Sequence, residues 1–171
     1  MAQAAREELN LSRIFFIPAA HSPFKPERAP TRAEERLRLL RLALAGKDWC
    51  EIDEQELKRG GVSYTVDTLR DYSGRFSGMK LFYLVGADHV AQLPKWREAE
   101  ELARLAEFVV VPRPGQATVA FPAPFRGRTL AGFPVSVSSS QIRARVKSGL
   151  PIDELTPAAV VEAIHNNGLY L

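Results

Sequence analysis

Apolar residues in this chain fall into short continuous runs separated by stretches of helical period. RIFFI (13–17) stops at Pro18, LFYLVG (81–86) stops at a glycine, and EFVVV (107–111) runs into a proline-rich turn. Runs of this length, apolar on both faces, predict strands buried between two layers. Trp49–Ile52 predicts another, and residues 119–137 an irregular loop with one more short strand. Between them lie helical patterns. Residues 2–9 read as the second half of a helix. Leu37, Leu39, Leu40, Ala43 and Leu44 form one helix face, with Thr31 as its cap, Glu34 at the capping-box position and Gly46 at its end. Further helices are predicted from Thr65, over EAEELARLA, over SSSQIRARVKSG to Gly149, and from Thr156–Pro157 to Gly168. Strands alternating with helices predict a single α/β domain over 1–171, a parallel sheet flanked by helices. Ligands of such sheets bind beyond the carboxyl ends of the strands.

Composition narrows this picture only slightly. The 171 residues are 46% hydrophobic and 25% charged, with 23 basic and 20 acidic side chains. A formal charge of +3 leans toward small anionic ligands and is too weak to argue for nucleic acid. No apolar run is long enough to cross a membrane and no secretory leader pattern opens the chain. A cytoplasmic protein is therefore expected. The single cysteine, Cys50, beside Trp49 and Ile52, is expected to be a packing residue.

The chemistry collects in the loops after the strands. Ser138, Ser139 and Ser140 open a helix, with Gln141 at the capping-box position and Arg143 one turn in. A cap explains one serine. Three hydroxyls, free helix N–H groups and a guanidinium would also cradle a polyphosphate. In LVGADH, Gly86 lets backbone approach a ligand, and Asp88 and His89 follow. Asp88 can accept from a nucleotide hydroxyl or amino group, or cap the next helix. The long loop AAHSPFKPERAP carries His21 and Lys25, and Lys25 could reach phosphate. Trp96 in LPKWR could stack on a flat ring. No Walker-type loop, G-x-G-x-x-G, zinc spacing or G-x-S-x-G elbow is present.

These pieces, in this order, resemble bacterial nicotinate-nucleotide adenylyltransferases over nearly the whole chain. The stretches concerned are RIFFIPAAHSPFK, GVSYTVDTL, LFYLVGADHVAQLPKW, FVVVPRPG, VSVSSSQIRARVKSG and AVVEAIHNNGLY. The family motif I-S-S-T-x-I-R reads VSSSQIR here, with Ser140 for threonine. The resemblance implies a Rossmann-like nucleotidyltransferase fold. It also implies a reaction of NAD biosynthesis: ATP plus nicotinate mononucleotide gives deamido-NAD and pyrophosphate. That transfer has no covalent enzyme intermediate, and Mg2+ accompanies the ATP substrate. Carried over by position, Gly86, Asp88, His89, Arg113, Ser139, Ser140 and Arg143 would bind ATP. Lys25, Ser63, Tyr64, Thr65 and Trp96 would bind nicotinate mononucleotide, with Arg143 and Lys25 stabilising phosphate. The partners implied are these two small molecules, with neither nucleic acid nor membrane; a homo-oligomer is compatible.

The chain departs from the family at its front. Relatives open on a strand, a glycine-rich turn and G-x-F-x-P-x-H-x-G-H, whose two histidines meet the triphosphate. Nothing here matches that motif, and His21 lies after the following strand. The first strand is central in the family's order 3-2-1-4-5, so the fold is expected with that strand missing and a slot in mid-sheet. The expectation is that the true start lies upstream, Met1 being internal, and that the chain as given folds poorly and transfers little adenylate. A degenerate nucleotide-binding module without catalysis, or a related enzyme such as phosphopantetheine adenylyltransferase, stays open as an alternative.

Overall fold

A computed structural model of the protein describes residues 1–23, 31–112, 119–132 and 137–171. The elements are α1 (Ala2–Leu9), β1 (Ile14–Phe16), α2 (Ala33–Leu44), β2 (Cys50–Ile52), α3 (Gln55–Arg59), α4 (Thr65–Arg75) and β3 (Phe82–Val85). They continue with α5 (Ala87–Val90), a 3₁₀ turn (Leu93–Lys95), α6 (Ala99–Leu105), β4 (Glu107–Val110), β5 (Gly127–Thr129), α7 (Ser139–Lys147) and α8 (Ala158–Asn166).

All strand pairings among the described residues are parallel, but they form two sheets. One has the order β1–β2 and the other β3–β4–β5. The expected slot is therefore present: a cavity of about 890 Å³ lies between them, lined by Phe15 and Ile17 on one side and Phe82 to Val85 on the other. It explains one departure from the sequence pattern. RIFFI reads as a strand buried on both faces, yet Phe15 and Phe16 are only half-buried. Among the described residues their strand has a neighbour on one edge only.

The core sits under the larger sheet. Phe108, Val109 and Val110 of β4 are fully buried. On one face Phe108 and Val85 pack with Val66 and Leu69 of α4 and Leu102 of α6. On the other, Ala5 of α1 meets Val109, Val111 and Leu130, with Phe82 and Leu84 alongside. Glu8 of α1 accepts hydrogen bonds from the Ala131 and Gly132 N–H groups at 2.9 and 2.8 Å, tying that helix to the segment leading toward α7. A Cβ on Gly127 would overlap the Phe108 carbonyl and come within 2.5 Å of the Phe121 ring, so β5 needs glycine there. A third cluster joins α7 and α8 through Val146, Ile152, Val160, Val161 and Ile164, against Leu39 and Leu42 of α2.

Several helix ends differ from the sequence reading. Arg32, not Thr31, is the N-cap of α2, and no side chain caps it. The Arg36 side chain donates to the Thr31 carbonyl at 3.1 Å. Pro157 is the N-cap of α8 rather than its first helical residue. Gly86 takes the N-cap position of α5, so Asp88 lies inside the first turn and does not cap it. The short α3 has no counterpart in the hydrophobic pattern. It is set by tertiary contacts, through Glu56, which is buried and accepts from Thr68 Oγ1 at 2.6 Å. Cys50 is half-buried, and burial pushes its thiol pKa up despite nearby Lys47 and Arg6, as suits a packing residue. No helix among the described residues is long and apolar enough to cross a membrane.

Candidate active site

The carboxyl ends of the strands carry the polar residues singled out above. After β1 the chain is fastened to the segment before α4. The Ala20 N–H donates to Ser63 Oγ at 2.9 Å and the Ser63 N–H donates to the His21 carbonyl at 2.9 Å. His21 and Val62 form a parallel bridge, and His21 Nδ1 lies 3.2 Å from the Gly61 carbonyl. Ser63 is thus buried and its hydroxyl already engaged. It acts as a strut that places Tyr64 and Thr65.

Those two residues open α4, whose first N–H groups lack helical partners. They line a pocket of about 280 Å³ with Pro23, Lys95, Trp96, Arg97 and Leu102. SYT and LPKW, thirty residues apart in the chain, therefore meet in one concavity. Trp96 stands edge-on to Tyr83 at 6.0 Å and to Phe108 at 6.4 Å, which fixes its ring against the core. Arg97 lies over the Tyr64 ring at 4.6 Å and is shared with Asp67 at 4.0 Å and Glu98 at 3.6 Å. Thr65 Oγ1 and the Tyr83 hydroxyl are 3.4 Å apart. Lys95 and Arg97 are pocket residues that the sequence reading missed. They stood beside Trp96 in LPKWR, but charge alone could not say which side of the turn they occupy.

Gly86 ends β3, and a Cβ on it would sit 2.5 Å from Asp88 Oδ1. Asp88 thus folds back over the strand end, its Oδ2 3.9 Å from His89 Nε2. The His89 ring approaches Trp96 at 6.3 Å, edge-on, which joins the GADH turn to the Trp96 pocket.

At the start of α7, Ser138 is the N-cap and its Oγ accepts from the Gln141 N–H at 3.1 Å. Ser139 and Ser140 are exposed, beyond the capping bond. Arg143 donates to Ser140 Oγ at 3.2 Å and lies 6.0 Å from the Tyr170 ring centre. Capping accounts for Ser138, while Ser139 and Ser140 are exposed and the half-buried Arg143 is bonded to Ser140. This group is built on α7 and the C-terminal segment, apart from the Trp96 pocket. Lys25 and Arg113 lie outside the described residues.

A parallel sheet with helix-start serines, a GADH turn and an aromatic pocket beyond its strand ends defines a nucleotidyltransferase-type domain. The cytidylyltransferase-like family model matches residues 1–145. A probable nicotinate-nucleotide adenylyltransferase of Opitutus terrae is 35% identical over 99% of this chain and 88% of its own length. One of Geobacillus thermodenitrificans is 39% identical over 99% of this chain and 77% of its own. Among solved structures, the Plasmodium falciparum nicotinic acid mononucleotide adenylyltransferase complexed with NaAD superposes with a TM-score of 0.75. It is 16% identical, covering 99% of this chain and 88% of that one, and supports the fold. The chain belongs to the nicotinate-nucleotide adenylyltransferases.

Proposed function

We propose that this protein binds ATP and nicotinate mononucleotide and joins them as deamido-NAD, with release of pyrophosphate. The observation that carries the reading is the pocket in which Tyr64, Thr65 and Trp96 meet Lys95 and Arg97. It offers a flat aromatic wall, a helix start and cations, which suit a pyridine ring bearing a carboxylate. The uncharged amide of nicotinamide mononucleotide gains less from the same positive end.

In this reading an oxygen of the mononucleotide phosphate attacks the α-phosphorus of ATP. The new O–P bond forms as the bond to the bridging oxygen of pyrophosphate breaks, and pyrophosphate leaves with that electron pair. The attacking oxygen is already anionic, so the protein's work is positioning and charge neutralisation. Ser139, Ser140 and Arg143 hold triphosphate oxygens. Gly86 and Asp88 receive the adenosine, and His89 sits between it and Trp96. Lys25 and Arg113 add positive charge. Mg2+ enters with ATP.

The test is pyrophosphate release from ATP with each mononucleotide, beside calorimetry of binding. Nicotinate mononucleotide should bind more tightly and support release. Trp96→Ala should weaken its binding by about tenfold, while Arg143→Ala should act on ATP. Equal binding of acid and amide would overturn the pocket assignment. Binding without release would favour the non-catalytic module.

A further inference from the structure

We propose that Tyr170 is a positioning residue of the triphosphate site. Its ring holds the Arg143 guanidinium beside Ser140 before ATP arrives, an assignment that rests on Arg143 being a triphosphate ligand. The ring does this without cancelling the charge that phosphate needs.

The first ground is the place of Arg143 on its helix. It sits one turn into α7, and helical side chains lean toward the helix start. Its guanidinium accordingly reaches back to Ser140, whose Oγ accepts from it at 3.2 Å. A helix start is the positive end of the dipole and repels a cation. A long arginine side chain also gives up much rotamer freedom when it is fixed. One bond to an exposed hydroxyl is a weak hold against both.

The second ground is what stands in for an acid. Other arginines of this protein are held by carboxylates: Arg75 lies 2.6 Å from Asp53, Arg41 2.6 Å from Glu54, and Arg97 3.6 Å from Glu98. Among the described residues no carboxylate lies within 4.0 Å of the Arg143 guanidinium. Its carbon lies instead over the Tyr170 ring, 6.0 Å from the centre. A ring face attracts a guanidinium through its quadrupole and carries no net charge. A carboxylate in the same place would compete with phosphate for the fork, and a ring does not.

The third ground is how the ring is brought there. α8 ends in a Schellman turn: the Gly168 N–H donates to the His165 carbonyl at 3.1 Å and the Leu169 N–H to the Ile164 carbonyl at 3.0 Å. Gly168 has φ 55°, the left-handed value this turn requires. Arg38 of α2 donates to Asn167 Oδ1 at 2.7 Å and fastens the same corner. Leu169 then packs on the cluster of Val146 and Ile164, with Ile142 of α7 and Tyr170 beside it. Tyr170 itself has φ 69°. Asn10 shares a positive φ and is of a type that tolerates it, whereas an aromatic residue there is strained. Such a conformation persists only where its surroundings over-determine it, and it clusters at ligand sites. Here it accompanies the one aromatic face offered to Arg143 among the described residues. A guanidinium already held in place loses less freedom when phosphate binds. The benefit falls on the triphosphate and not on the Trp96 pocket, which is built from other elements.

The test compares Tyr170→Phe, which keeps the ring face, with Tyr170→Leu, which keeps only apolar bulk. Both carry the same left-handed backbone cost as tyrosine, so the ring is the difference. Calorimetry measures ATP, AMP and nicotinate mononucleotide on each. Tyr170→Leu should weaken ATP by about three- to tenfold and leave AMP and the mononucleotide within about twofold, with Tyr170→Phe close to the parent. In the ligand-free protein the order parameter of the Arg143 Nε–H should fall below about 0.6 in Tyr170→Leu and stay high in Tyr170→Phe. Added to Arg143→Ala, Tyr170→Leu should cause no further loss of ATP binding. Unchanged ATP binding in Tyr170→Leu, with Arg143→Ala weakened, would overturn the proposal and leave Arg143 on the triphosphate. A loss shared equally by ATP and AMP, additive losses in the double variant, or a Tyr170→Phe as weak as Tyr170→Leu would overturn it too. Parent-like ATP binding in Arg143→Ala would overturn the triphosphate reading of Arg143 itself, and the proposal with it.

Discussion

The two sheets are built from the same kind of sequence and end in different states. FVV of β4 and IFF of β1 are both three apolar residues in a parallel pair. β4 has strands on both edges and helices on both faces, and Phe108, Val109 and Val110 are fully removed from water. β1 packs Phe15 on Tyr72 and Phe76 but has, among the described residues, a strand on one edge only, and Phe15 borders the cavity. Burial of a strand is thus set by its lateral neighbours as much as by its own residues. A run of apolar side chains records what a strand could bury and not what it does.

That difference should appear first in stability. Phe108→Ala is expected to cost about 3–5 kcal/mol in urea unfolding, because it opens a cavity in a closed layer. Phe15→Ala, beside an existing cavity, should cost about 1–2 kcal/mol. Equal losses would break the comparison and show that the slot is filled in solution.

A smaller effect lies at the end of the thin sheet. Asp53 follows β2, and its carboxylate accepts from Tyr72 at 2.8 Å, Arg75 at 2.6 Å and the Gln55 N–H at 3.0 Å. Burial pulls its pKa up, but the Arg75, Tyr72 and Gln55 hydrogen bonds outweigh it and hold the pKa below the ordinary carboxylate value. The folded state then favours the ionised form. The resulting stability is present above the unfolded pKa of about 3.9 and lost as pH falls through the lower folded value. Asp53→Asn should cost about 1 kcal/mol at pH 7, and the gap from the parent should close in acid. A gap independent of pH would mean that shape, not charge, ties β2 to α4.

The smallest effects compare two helix starts that look alike in sequence. Ser138→Ala removes an observed capping bond and should cost about 1 kcal/mol. Thr31→Ala removes none and should be nearly silent in the same melt. Gly86→Ala should change the melt little if Asp88 swings outward, yet weaken ATP binding, as its Cβ would occupy the place of the carboxylate oxygen.

Much of this was legible in the chain. Strand and helix order, the Ser138 cap and the Thr65 helix start follow from local period and capping chemistry, which act within a few residues. The likeness of GADH, LPKW and VSSSQIR to a family pointed to the site. The lack of H-x-G-H pointed to a slot in mid-sheet.

What the amino-acid order determined by itself was therefore the set of elements, their parallel class and the residues able to carry nucleotide chemistry. Tertiary structure alone decided that Ser63 is a strut, that Lys95 and Arg97 join Tyr64 and Trp96, and that Asp88 folds over Gly86 instead of capping α5. The physical reason is range. Caps and periods are satisfied by near neighbours, whereas a strand edge, a pocket wall and a buried hydroxyl are satisfied by residues far along the chain.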